Sequence, residues 1–261
     1  MTWETIREWW INPHTYETAV KIYAAYSPVV LPVLLFVDAP YGKFTNKFFL
    51  DRRLPGKWAW GIMEIVSPMV YLASVYLVHP RWTASQVLPT SLWLIHYVNR
   101  SIIHPYRASS IAPIHWLTMV SALAFNALNG YTNGTSVTLH DLHWGLNTWC
   151  GVALWALGFG LNVYHDNILF KLREKKKAQD TKRYFIPHGG LFRYVSCPNY
   201  FAEALEWTGY AVTCWPSTPA LTFAIATMST LFPRAWRIHK WYKKEFPNYP
   251  KNRKAVVPFV L

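Results

Sequence analysis

Apolar residues along this chain gather into seven windows, near 19–37, 58–79, 83–104, 112–130, 146–170, 200–214 and 217–233. Most approach the roughly 20 residues that a helix needs to cross bilayer hydrocarbon. A helix also pairs its own backbone groups, as lipid demands. The pattern predicts an all-α, polytopic membrane helix bundle of about seven transmembrane helices; a soluble protein with long apolar helices is the competing reading. The windows are not uniformly apolar. Lys21 interrupts the first, Glu64 the second, His96 and Arg100 the third, and Glu203 and Glu206 the sixth. An ionisable group at membrane depth is costly and faces a bundle interior or a wet cavity. These helices are therefore expected to enclose something polar. No repeat or low-complexity tract divides the chain, and residues 1–261 read as a single membrane domain.

Charge orients the bundle. Lys171, Arg173, Lys175, Lys176, Lys177, Lys182, Arg183 and Arg193 crowd the connection before the sixth window. Arg234, Arg237, Lys240, Lys243, Lys244, Lys251, Arg253 and Lys254 crowd the tail after the seventh, and segment 42–57 is also basic. Residues 1–18 hold one Arg against three Glu, and 131–145 and 214–219 hold no Lys or Arg. Basic loops stay on the cytoplasmic side, so the N-terminus is expected outside and the C-terminus in the cytoplasm. Arg81, in an outer turn, is the mild exception.

The formal net charge of +13 raises nucleic acid as a partner. That reading is set aside, because the charge is juxtamembrane and anionic lipid headgroups attract the same residues. Trp, Tyr and Phe make up 17% of the chain, and Trp and Tyr favour the two membrane interfaces. The start, MTWETIREWW, is acidic and aromatic rather than basic and then apolar, so no cleavable leader is expected. Cys150, Cys197 and Cys214 form no C-x-x-C pair and the ten histidines no ligand-spaced cluster. Neither a metal site nor a disulfide framework is predicted.

No G-x-G-x-x-G or G-x-x-x-x-G-K-[ST] is present, so neither a Rossmann unit nor a P-loop is supported. What remains is a polar stripe. Asn162 and Asp166 lie four apart on one helical face, with Arg173 seven residues further on. Amide, carboxylate and guanidinium in that order suit a carboxamide, ribose hydroxyls and a phosphate. Packing against neighbouring helices is the competing reading.

The segment Tyr184–Tyr210, YFIPHGGLFRYVSCPNYFAEALEWTGY, resembles the signature of the steroid 5α-reductase (3-oxo-5α-steroid 4-dehydrogenase) family. That signature reads I-P-x-G-G-L-F-x-Y-V-S followed by N-[YF]-x-x-E-x-x-E-W-x-G-Y. The resemblance extends over most of the chain. It includes Y-G-K at 41–43, L-P-x-x-x-x-W-x-x-x-E at 54–64, H-Y-x-x-R at 96–100 and N-G-Y at 129–131. G-x-x-x-N-x-x-x-D at 158–166 and Y-P-x-x-R-K-A-x-x-P-F at 249–259 complete it. The spacing S-C-P-N-Y-F is similar to plant-type and bacterial members.

The resemblance implies reduction of the Δ4 double bond of a 3-oxo steroid by NADPH, with residues 112–261 as the reductase and cofactor-binding half. Glu64 and Tyr97 match the positions that hold the steroid 3-keto oxygen, and Trp60 a residue beside the steroid. Asn162, Asp166, Arg173, Tyr184, Asn199, Glu203, Arg234 and Tyr242 match positions around NADPH; Trp207 and Arg107 are further cofactor candidates. His104 replaces the Tyr of animal members and Met63 their Gln, which puts the steroid preference in doubt. Elementary chemistry favours the same pair. An enone accepts hydride when its oxygen is stabilised as an enolate, and one such donor is worth roughly 3–4 kcal/mol of barrier. To donate, Glu64 must carry a proton, the state that apolar surroundings favour; an ion pair of Glu64 with Arg100 or Lys57 is the alternative.

Expected partners are therefore the steroid and membrane lipid, with the chain a monomer. Its place is an inner membrane if bacterial and the endoplasmic reticulum if eukaryotic. Reduction of another activated double bond, in an enoyl-CoA or another sterol, is the rival activity, and a non-enzymatic sterol-binding protein a further one.

Overall fold

The computed structural model describes residues 3–37, 52–78, 82–179 and 184–261. Tyr41–Lys43, residues 42–51 of the basic segment, Arg81, Lys182 and Arg183 lie outside the described residues. Every apolar window but the third is occupied mainly by one helix. After a short α1 (Trp3–Ile11), Asn12 caps α2 (Pro13–Phe36): its side chain accepts from the His14 and Thr15 amides, with Pro13 in the first turn. That proline loses nothing there, since the first amides of a helix lack partners inside it. Next come α3 (Gly56–Val78), α4 (Ala84–Val98), α6 (Trp116–Leu139), α7 (Leu146–Ala178), α8 (Pro198–Thr213) and α9 (Thr218–Glu245). The protein is an all-α membrane protein, and α2, α3 and α7 are each long and apolar enough to cross a bilayer.

The helices depart from the windows where polar residues remain helical or proline intervenes. The third window does not form one continuous helix. After α4 the chain enters a π-helical turn, Asn99–Ile103, and then the four-residue α5, His104–Arg107. Pro105 has no amide to offer the Ser101 carbonyl, so a regular ladder cannot continue, and the wider turn presents Arg100 differently from an α-helix. α7 and α9 run well past their apolar windows, carrying basic residues in their last turns. Residues Arg53–Leu54 (β1) pair antiparallel with Ile114–His115 (β2), which ties the start of α3 to the start of α6.

Small residues set the tightest contacts. A Cβ on Gly158 would lie 2.4 Å from the Glu206 amide nitrogen, and one on Gly209 would lie 2.3 Å from that of Trp155. α7 and α8 therefore touch backbone to backbone, the usual way for membrane helices to pack without a hydrophobic driving force. Gly189 and Gly190 hold φ of +100° and +50°, a left-handed turn before the 3-10 segment Gly190–Arg193. Any side chain would be strained there, and the Leu191 amide donates to Nε2 of His165 at 3.0 Å on α7. The C-terminal segment folds back along residues 194–197: the Ser196 and Cys197 amides donate to the carbonyls of Lys254 and Ala255 at 2.9 and 3.0 Å. Between the helices lies an aromatic core in which Tyr71, Tyr97, Trp207, Tyr210 and Phe223 surround Trp93 with ring centroids 4.8–5.3 Å away.

Candidate active site

Two cavities meet inside the bundle. One, of about 550 Å³, is mainly apolar and lined by α2, α3, α4, α6, α8 and α9. The other, of about 630 Å³, is the more polar of the two and lies among the ends of α5, α7, α8 and α9 and residues 184–185. Both fall in the range of roughly 300–1,000 Å³ that small-molecule sites occupy. Trp60, Arg100, Ile114 and Arg234 line both and form the partition between them.

Glu64 and Tyr97 line the apolar cavity together with Trp60, each from the helix that the motifs predicted. Tyr97 is 2% exposed and packs on Trp93 and His96, while its hydroxyl accepts from the Asn129 amide at 3.1 Å. Trp60 donates from Nε1 to the Arg100 carbonyl at 3.2 Å and stacks on His104 at 5.6 Å. The Arg100 guanidinium lies 4.8 Å over the Trp60 ring. Met63 gives the apolar cavity wall a thioether, and its carbonyl accepts from Asn126 at 2.6 Å.

Around the polar cavity the predicted residues fall into three layers. Asp166, Arg173, Tyr184, Asn199, Arg234 and Tyr242 line it directly. Asn162 sits behind them and fixes the layer in front. Its amide donates to the Asn199 carbonyl at 3.0 Å and to Glu203 Oε2 at 3.5 Å, and the Asn199 amide donates to Asp166 Oδ1 at 3.1 Å. Glu203 faces the apolar side of the partition. Arg173 reaches the Ser110 carbonyl at 3.5 Å, and Lys176 and Lys177 share its wall. Arg234 donates from Nε to the Tyr200 hydroxyl at 3.1 Å. Burial pushes the Tyr242 phenol above its ordinary value, and its ring stacks on Tyr249 at 5.2 Å. It is a neutral donor at physiological pH.

Two cofactor candidates fall elsewhere. Trp207 lines the apolar cavity, held in the aromatic core 4.2 Å from Phe223. Arg107 is exposed beside Phe170, 5.8 Å from its ring, and does not line the polar cavity.

The partition has a charge centre. Arg100 stands among three carboxylates from three other helices: Glu203 at 3.5 Å, Asp166 at 3.7 Å and Glu64 at 4.0 Å. His104 adds a contact to Asp166 at 3.2 Å. One guanidinium with a planar fork of donors can serve several acceptors at once. Two cavities of different polarity thus meet at this charge centre.

A family model described as 3-oxo-5-alpha-steroid 4-dehydrogenase matches residues 112–261. An uncharacterized protein of Schizosaccharomyces pombe is 36% identical over 94% of this chain and 99% of its own length. The 3-oxo-5-alpha-steroid 4-dehydrogenase 1 of Rattus norvegicus is 36% identical over 86% of this chain and 87% of its own. Steroid 5-alpha-reductase DET2 of Arabidopsis thaliana is 37% identical over 89% and 92%. The chain belongs to the 3-oxo-5-alpha-steroid 4-dehydrogenase family.

Within that family fold, sequence reasoning passed over several residues. Arg100 and His96 were visible as polar intruders in an apolar window, yet nothing local says which carboxylates they meet. His96 Nδ1 lies 2.7 Å from Glu206 Oε1, with both side chains buried. Glu206, one of the two acids that interrupt the sixth window, is therefore bound to α4. Asn126 and Asn129 gave the weakest signal, being amides in a helix whose outward composition is apolar.

Proposed function

We propose that this protein reduces the Δ4 double bond of a 3-oxo-Δ4 steroid to a 5α-steroid with NADPH, from within the membrane. The observation that carries the reading is the junction of the cavities. An apolar chamber holding Glu64 and Tyr97 opens at Trp60, Arg100 and Arg234 onto a polar one lined by cations and amides. A steroid is apolar except at its ends and suits the first. The second suits a dinucleotide phosphate: Arg173, Lys176 and Lys177 would meet phosphate, and Asp166, Asn199 and Tyr242 would meet hydroxyls and amides. Bound there, NADPH supplies a hydride. The family membership and the names of the rat and Arabidopsis relatives support the same substrate class.

The residues' own work follows from their position. The steroid enters with its 3-keto oxygen toward Glu64 and Tyr97, which donate hydrogen bonds to it. As the β-carbon is reduced, negative charge grows on that oxygen, and donors already aimed there lower the barrier without reorganising. A proton drawn from solvent and added at the α-carbon completes the saturated ketone. The aromatic core around Trp93 excludes water, which strengthens both hydrogen bonds. Arg100 balances Asp166 and Glu203, its two nearer acids, and holds the two chambers in register.

The arrangement in the membrane is seven spans with the N-terminus outside and the C-terminus in the cytoplasm. It is supported by the basic tails of α7 and α9, which share one side with the polar cavity. The test is NADPH consumption by detergent-purified protein given a 3-oxo-Δ4 steroid, an enoyl-CoA or neither. Steroid-dependent consumption with a 5α product is expected, and Tyr97→Phe should lower turnover roughly 10²–10³-fold. Consumption driven by the enoyl-CoA alone would transfer the activity to the rival substrate class.

A further inference from the structure

Asn129 belongs to the N-G-Y motif, and the proposed chemistry gives it no task. It is 0% exposed on α6, in the centre of the bundle. Its surroundings fix the direction of every hydrogen bond it makes. The Asn133 amide nitrogen donates to the Asn129 backbone carbonyl at 3.1 Å, an atom that can only accept. That contact fixes the Asn133 amide, so the Asn129 side-chain atom it also reaches, at 3.0 Å, must be the acceptor Oδ1. Tyr23 of α2 donates to the same oxygen at 2.6 Å. With Oδ1 so assigned, Nδ2 faces the Tyr97 hydroxyl at 3.1 Å and donates to it.

We infer that Asn129 is a positioning residue that sets the polarity of Tyr97. Because the phenol oxygen accepts from Asn129, its own proton is kept off that amide and stays available to the cavity that Tyr97 lines, with the buried Ser67 hydroxyl as the other group beside it. An amide acceptor at the same place would capture that proton and disarm the hydroxyl. The chain Asn133 to Asn129 to Tyr97 also runs donor to acceptor throughout, and such chains polarise each successive hydrogen bond. The inference rests on the reading of Tyr97 as the donor to the substrate carbonyl.

The experiment is a double-mutant cycle on the full chain in detergent, with NADPH and a 3-oxo-Δ4 steroid. It follows kcat and KM for Asn129→Leu and Tyr97→Phe, singly and together. Asn129→Leu should lower kcat about tenfold with KM changed less than about twofold. In the Tyr97→Phe background the same change should cost less than about twofold, because the hydroxyl it acts through is gone. Asn133→Ala, which keeps Asn129 but releases its amide, should lower kcat about threefold and show the same dependence on Tyr97. This second variant decides the matter if Asn129→Leu does not yield folded protein. Equal losses with and without the Tyr97 hydroxyl overturn the inference and leave Asn129 as packing. Wild-type turnover in Tyr97→Phe overturns instead the donor reading on which it rests.

Discussion

Gly158 and Gly160 lie two residues apart on α7, and the structure assigns them opposite responses to the same change. A Cβ at Gly158 would meet the Glu206 amide nitrogen at 2.4 Å, the Ala202 carbonyl oxygen at 2.7 Å and the Glu206 Cα at 2.7 Å. Ordinary contacts lie near 3.5–4 Å, so α7 and α8 must separate by about 1 Å. All three obstacles are backbone atoms, and no side chain can rotate away. Overpacking of this kind costs about 1–3 kcal/mol, partly offset by the roughly 0.5–1 kcal/mol that Ala gains over Gly within a helix. At Gly160 no atom lies within 4 Å of the added Cβ, so only the gain remains. In a chain of this size 1 kcal/mol moves the midpoint by about 2–4 °C. Gly158→Ala should therefore lower the apparent Tm, by up to about 10 °C, and Gly160→Ala should leave it level or raise it slightly. The separation should also reach the polar cavity. The bonds from Asn162 to Asn199 at 3.0 Å and from Asn199 to Asp166 at 3.1 Å both cross this interface. NADPH affinity is expected to fall in Gly158→Ala and to hold in Gly160→Ala. Thermal unfolding by tryptophan fluorescence and an NADPH titration on the purified variants provide the readouts. Equal Tm values and equal affinities for the two would refute the argument from backbone contact.

Arg100→Met should be more damaging than any single loss among its carboxylate partners. It leaves Asp166 and Glu203 buried around no cation, and breaking a buried pair costs about 3–5 kcal/mol; recovery of monodisperse protein and its Tm are the measurements, and wild-type stability would count against the charge centre. Arg173→Ala and Arg234→Ala should each weaken NADPH binding, and at least one should narrow the preference over NADH, because a 2′-phosphate needs a cation. Equal affinity of the wild type for both cofactors would end that assignment. His239 lies beyond the last predicted span, with Nδ1 2.6 Å from the Ser196 hydroxyl. Burial, reinforced by Lys243 and Lys254, pushes its pKa down to about 4. A histidine held neutral in the fold loses stability as pH drops from about 6.5 toward 4, so His239→Gln should flatten that part of the Tm–pH curve. An unchanged slope would show that His239 does not contribute to it. A reporter fused after Leu261 should read cytoplasmic, since both basic clusters must share that side; an external signal would reverse the proposed orientation.

Much of this architecture was legible in the linear chain because lipid imposes a one-dimensional rule. A segment must be apolar and helical over its whole length to cross a bilayer, so seven windows foretold seven long helices. Basic clusters and turn glycines such as Gly189 and Gly190 are similarly local. The pairing of Glu64 with Tyr97 was also accessible, though only through the family motifs. What local pattern could not supply was the partner of each buried polar group. Arg100 was visibly anomalous, yet its three carboxylates come from α3, α7 and α8. Likewise His96 and Glu206 are 110 residues apart in sequence and 2.7 Å apart in space.

Sequence by itself therefore determined the helical class of the fold, the family, and where along the chain basic and buried polar residues gather. Tertiary structure alone decided that Trp207 lines the apolar cavity, that Arg107 turns away, and that Asn162 supports the polar wall from behind. The physical reason is that periodicity and hydropathy constrain each helix separately. The rotation of one helix against another is set by close contacts such as Gly158 on Glu206 and by the π turn after α4. Those contacts depend on two distant segments at once, and neither segment records the other.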